Sequence, residues 1–206
     1  MRLTTYLAAA LCAVSLAVCP HPAAAAGPGV PAAIADREAS LELQLFLFVA
    51  SSAPGAPSPA PPASLAPSLK RAQALVGLPN ARLAATFVQR LTSDAPARSS
   101  GVAAPVLPVT QSAYTPVFYE FSADRVVLSE TNAGSAVIRN FKFGMRVPVT
   151  TAVATSGGQG QTTQYENLGV QSNLSVREGV PAVVSTMSTG RANEAFVLVA
   201  VLNRVE

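Results

Sequence analysis

Histidine and cysteine do most of the acid–base, nucleophilic and metal chemistry that proteins perform near neutral pH. In this chain they occur only as Cys12, Cys19 and His21. All three lie in the first 26 residues, a stretch with the marks of a removable export signal. Without them the rest of the chain cannot assemble a Ser-His-Asp triad, a Cys-His pair or an ordinary zinc site. No metal and no cofactor is expected. Ser68-x-Lys70 has the residue types of a Ser-Lys dyad, but helical residues two apart do not face each other. Lys70 therefore reads as part of a solvated face. The carboxylate pairs Asp124/Glu130 and Glu166/Glu178 are the candidates for acid–base work on a sugar. The chain has no Trp and four Tyr, too few for a sugar platform, and carboxylates at turns and strand ends usually just face solvent. Gly157-Gly158-Gln159-Gly160 lacks the Lys-Ser/Thr and the following helix that a phosphate loop needs. No catalytic residue is assigned.

Binding chemistry is better represented. Arg139, Lys142 and Arg146 are the densest basic group, and with Tyr165 they form the candidate interaction surface. Lys142 and Arg146 fall on the polar face of one strand. They suit an anionic partner such as a lipid headgroup or an acidic protein edge. The plainer reading is the exposed face of an antiparallel sheet, with Lys and Arg discouraging edge pairing. No basic run interleaved with aromatics points to nucleic acid.

These residues depend on a hairpin that organises the chain. In Phe141–Thr151, Phe141, Phe143, Met145, Val147 and Val149 alternate with Lys142, Gly144 and Arg146. That is the period of a strand with one buried face. In Gln164–Glu178, Leu168, Val170, Leu174 and Val176 share a face, opposed by Asn167, Gln171, Asn173 and Arg177. Ser156–Gly160 between them is expected to be a turn.

Upstream, Met1–Ala26 has a charged start at Arg2, an apolar core at Leu7–Val18 and small residues at Ala23–Ala25, which predicts a cleaved secretory signal. Val18 and Pro20 flanking Cys19 argue against lipidation there. Cleavage leaves 13 basic and 11 acidic residues, a net of +2, and no Cys to pair. No later segment is long and apolar enough for a transmembrane helix. Residues 27–39 read as a flexible leader, and Ser51–Ala63, with five prolines, as a solvated Pro-rich loop.

Leu41, Leu43, Leu45, Leu47 and Val49 predict a strand over Ser40–Ala50, starting half-exposed and ending covered on both faces by Phe46 and Phe48. Ser64–Val76 is the one helix, with Leu65, Leu69, Ala72 and Leu75/Val76 on one face, Pro67 in its first turn and Gly77 at its end. Ala81–Thr92 returns to strand. A short edge strand is expected at Val106–Thr110, then strands at Val117–Ser122, Val126–Glu130, Ala136–Thr151, Val180–Met187 and Glu194–Val205. The apolar run Ala195–Leu202 fits a central strand covered on both faces.

The segments Gly144–Thr151, G-M-R-V-P-V-T-T, and Tyr165–Val170, Y-E-N-L-G-V, followed by Arg177-Glu178-Gly179, resemble the C-terminal β-domain of bacterial secretins. Secretins are the outer-membrane rings of type II and III secretion and type IV pilus systems. The resemblance covers residues 141–179 most closely, and the whole chain looks like small exported secretin-like proteins. It implies a β-rich fold, an envelope location and work through protein–protein contacts. The tip at Thr155–Thr163 reads as too short and too polar for a membrane-crossing hairpin.

The expected fold is α+β, mostly antiparallel β in a sandwich or twisted sheet, with one main helix near residues 64–76. Residues 40–206 form one β-rich domain, in which 40–110 is a small α/β part and 114–206 a secretin-like β part. The expected function is that of an exported, non-enzymatic envelope protein at the periplasm or outer-membrane periphery of a bacterium. It would contact an envelope partner or itself, in the setting of a secretion or pilus system. The alternatives are a monomeric periplasmic binding module, with a pocket lined by Phe118, Tyr119, Phe121 or Tyr165, and, last, a carboxylate-dependent hydrolase.

Overall fold

Among the described residues the apolar alternation resolves into nine strands and one α-helix. The computed structural model describes residues 39–53, 60–107, 116–129, 133–155 and 158–205, with backbone only at 150–155 and 158–161. The expected signal, nearly all of the leader, the heart of the Pro-rich loop and Glu130 lie outside these residues.

In the first sheet, β1 (Ser40–Ser51) is flanked by β2 (Asn80–Thr92) and β9 (Glu194–Arg204), and β9 also pairs with β8 (Ala182–Ser188), all antiparallel. Leu41, Leu43, Leu45 and Leu47 of β1 and Phe196, Leu198 and Leu202 of β9 point into the core between the sheets. Phe46, Phe48, Val197 and Val199 point the other way, beneath helix α1 (Ala66–Val76). Each such Leu or Phe contributes about 1.5–3 kcal/mol of burial. The expected double coverage of both strands is therefore present.

A 3-10 turn at Ala63–Leu65 precedes α1, and Gly77 ends it at φ 69° with its N–H donating to Gln73 O. Leu65, Leu69 and Ala72 are buried. Leu75, expected on that stripe, is 71% exposed. The stripe runs from Leu69 and Ala72 to Val76, and Leu75 lies off its line.

The second sheet contains β3 (Ala97–Ala103), β4 (Val117–Ala123), β5 (Arg125–Leu128), β6 (Ser135–Thr155) and β7 (Gly158–Arg177). Strand β6 is its centre. One edge pairs with β4 and then β5, the other with β7. Phe121, Phe141, Phe143, Met145, Leu174 and Val176 meet the first sheet in the core. The architecture is a two-sheet sandwich with one helix on its outer side, mostly antiparallel β.

Three expectations change. The edge strand is Ala97–Ala103 rather than Val106–Thr110; Val106 and Leu107 are a buried bend, and 108–110 lie outside the described residues. A-R-S-S-G-V-A has little strand propensity, so pairing with β4 decides. Tyr119 lies over Gly101 so closely that a Cβ there would meet its ring at 2.8 Å. Second, the sheets do not follow the expected 40–110 and 114–206 parts, because β1 and β2 share a sheet with β8 and β9. Third, the turn expected over Ser156–Gly160 is strand from Gly158 onward. β6 and β7 stay paired out to Thr155↔Gly158, since Thr and Val favour an extended ribbon; Ser156 and Gly157 lie outside the described residues.

A β-bulge interrupts β6. Register with β7 shifts between Ile138 and Phe141, so Arg139 and Asn140 oppose Asn173 alone. Buried positions change parity there, from Ala136 and Ile138 to Phe141, Phe143, Met145 and Val147. Asn140 takes φ 48°. Its backbone N–H donates to Asn173 Oδ1 (2.9 Å), its Nδ2 to Asp124 Oδ2 (2.8 Å), and its Oδ1 accepts from Gln171 Nε2 (2.7 Å).

Past the Phe118↔Arg146 pair, β6 and β7 run on as a two-stranded arm. Val147–Thr155 and Gly158–Glu166 are nine residues each, roughly 30 Å of ribbon. Among the described residues, Val147–Thr155 has β7 as its only strand partner.

Candidate functional site

Alternation that buries one face of the second sheet turns the other outward, and cross-strand partners set its side chains in rows. One row is Val102, Phe118, Arg146 and Asn167. The next is Ser100, Glu120, Gly144 and Gly169, and the third is Arg98, Ser122, Lys142 and Gln171. The middle row has two glycines side by side on β6 and β7, so the floor carries no side chain of its own; Gly169 is exposed and Gly144 is buried beneath the Glu120 side chain. The result is a groove of about 620 Å³ across the strands. A second depression, on the β3 side, shares Ser100, Glu120 and Lys142 with it.

The two glycines have different causes. A Cβ on Gly169 would meet Phe143 O at 2.9 Å and Gly144 Cα at 3.3 Å, both backbone atoms. Gly169 is thus required by the close approach of the strands. The three atoms nearest a Cβ on Gly144 all belong to the Glu120 side chain, the closest at 3.1 Å. That side chain can move, so Gly144 leaves a space that the fold does not require.

The apolar wall carries Phe118, 39% exposed, and Val102, 56% exposed. Phe118 packs against Tyr165 with ring centroids 5.9 Å apart. The Arg146 guanidinium lies 5.5 Å from the Tyr165 ring, within cation–π range. On the opposite wall, Lys142 Nζ pairs with Glu120 Oε1 at 2.9 Å. Both side chains are about half exposed, so this pair contributes little to stability.

Of the expected interaction residues, Lys142, Arg146 and Tyr165 come together on this face. Arg139 does not join them; it lies in the bulge, level with Arg125 on β5. Lys142 and Arg146 do not guard an edge, because β6 has strand partners on both sides at these positions. Among the four aromatics expected to line a pocket, Phe118 and Tyr165 stand here. Phe121 is buried, and Tyr119 faces inward against Phe87 at 4.7 Å. Sequence reading missed Glu120, Gly144, Gly169 and Arg98, because only the register reveals which residues are neighbours.

The catalytic candidates separate. Glu166 and Glu178 stand twelve residues apart along β7 and its end, roughly 40 Å. Glu178 pairs with Arg204 at 3.6 Å. Asp124 accepts from Asn140, and Ser68 Oγ donates to Pro181 O at 2.9 Å. Among the described residues, no three His, Cys, Asp or Glu cluster as metal ligands, and no helix is long and apolar enough to cross a membrane. The groove offers recognition by charge, rings and amides. Compared with family models, curated proteins and solved structures, the chain finds no match, so the secretin resemblance rests on the residues that carry it.

Proposed function

We infer that this chain is an exported, non-enzymatic cell-envelope protein that acts through protein–protein contacts, with itself or with an envelope partner such as a secretion or pilus component. The supporting observation is the β6–β7 arm. A two-stranded ribbon is marginal in water, yet this one runs nine residues past the last β4 partner. From Val147 to Tyr165 the sequence contains no charged residue. Natural edge strands are usually blunted by charge, proline or bulges; between Pro148 and Glu166 this arm has no charge or proline, and its pairing is regular. Such an edge suits the addition of another strand. The export reading is supported by Met1–Ala26.

The test is the mass in solution of the secreted mature protein beside a variant lacking Val149–Gln164. The expected result is an assembly for wild type and a folded monomer for the variant. Equal masses for the two, with no envelope partner retained by wild type alone, would overturn this role for the arm. The alternative, a monomeric binding module, is favoured by one observation, the groove at Gly144 and Gly169. It predicts a monomer with the arm intact.

A further inference from the structure

We propose that the groove over Gly144 and Gly169 is a docking site for an extended acidic peptide of a partner protein. Arg98 and Lys142 stand on one wall and Arg146 on the other, against the single carboxylate of Glu120. The outer face therefore carries net positive charge around a floor of two glycines, Gly169 exposed and Gly144 under Glu120. Glu120 lies over the floor and holds Lys142, so the site already accommodates one carboxylate of its own. The pair is about half exposed and exchanges cheaply for an incoming carboxylate.

Shape agrees with charge. Facing residues of the two walls, such as Lys142 and Arg146, are four apart on a strand, roughly 13 Å. That leaves room for one extended chain and no more. Four strands give the groove a length of roughly 14 Å between the outermost ones, about four residues of extended peptide. Phe118 offers apolar contact on one wall, with Val102 beyond it in the same row, while the Asn167 and Gln171 amides can pair with peptide groups. The preferred ligand alternates carboxylate and aliphatic side chains. Glu120 acts as an internal stand-in that such a ligand displaces.

The groove is separate from the arm and does not depend on self-association. The probe is a fluorescein-labelled nonapeptide alternating Glu and Val, titrated into the mature full chain and followed by anisotropy. Saturable binding is expected, weakening with salt. Gly144→Val fills the floor and should weaken it at least about tenfold; Gly144→Ala, whose methyl has the movable Glu120 side chain as its nearest neighbour, should weaken it less with the thermal midpoint retained. Lys142→Glu should weaken it similarly. Glu120→Gln should tighten it about threefold by freeing Lys142. The variant lacking Val149–Gln164 should bind as wild type, which distinguishes this site from the arm whatever the assembly state. The proposal is overturned by equal binding of a control peptide with Gln in place of every Glu, by binding indifferent to Gly144→Val, by absence of saturable binding, or by phosphatidylglycerol vesicles binding through the same residues while the peptide does not.

Discussion

Phe143 and Lys142 are neighbours in sequence and lie on opposite faces of β6. Phe143 is fully buried, with its ring 5.1 Å from that of Phe87. Lys142 is about half exposed. Phe143→Ala should therefore cost about 3–5 kcal/mol, and Lys142→Ala about 0.5 kcal/mol or less. Urea denaturation of both beside wild type checks the contrast, and a greater loss from Lys142→Ala would reverse the assigned faces. The paired glycines allow a second comparison. Gly169→Ala places a methyl against backbone and should lower the thermal midpoint clearly, whereas Gly144→Ala should leave it nearly unchanged. Period two made the first contrast legible from the sequence. The second was not legible, because nothing in either glycine's neighbourhood along the chain says that the two lie side by side.

At the scale of the element, the long hairpin was legible and its bulge was not. The parity change from Ile138 to Phe141 looks in the sequence like two separate patterns with polar residues between. Pairing with an uninterrupted β7 makes it one strand with an extra residue. Asn140 holds that point through three hydrogen bonds and tolerates φ 48° as few residues do. Asn140→Ala should cost roughly 2 kcal/mol. Asn140→Gly, which keeps the backbone but loses the side-chain bonds, should cost less; equal losses would mean the backbone angle is of no account. Strand β3 was missed because Ser, Gly and Ala carry no strand signal of their own. For the arm, hydrogen exchange is the informative measurement. If its β6 edge receives another strand, amides of Val149–Thr155 should exchange rapidly in dilute protein and slow sharply as assembly proceeds. Exchange independent of concentration would count against the arm as the contact.

Across the molecule, the first sheet joins strands from both ends of the described chain. β1 lies between β2 and β9, so residues 39–110 alone lack one partner strand of β1 and most of the second sheet against which its leucines pack. That fragment should be unfolded by circular dichroism, while the mature chain should unfold in one transition. A folded fragment would restore the independent α/β part expected from the strand–helix–strand pattern. The fold class was readable because each apolar run declared its period. Which runs pair was not, since pairing is a long-range property that no local signal encodes.

The place of β9 in this sheet also sets a timetable. It follows every other described strand and lies between β1 and β8. While the chain emerges from a ribosome or a membrane channel, Phe46, Phe48 and the leucines of β1 must wait for it. Contacts so distant in sequence form slowly. The first sheet should therefore stay incomplete through most of synthesis, and close only after Phe196–Leu202 has cleared the exit.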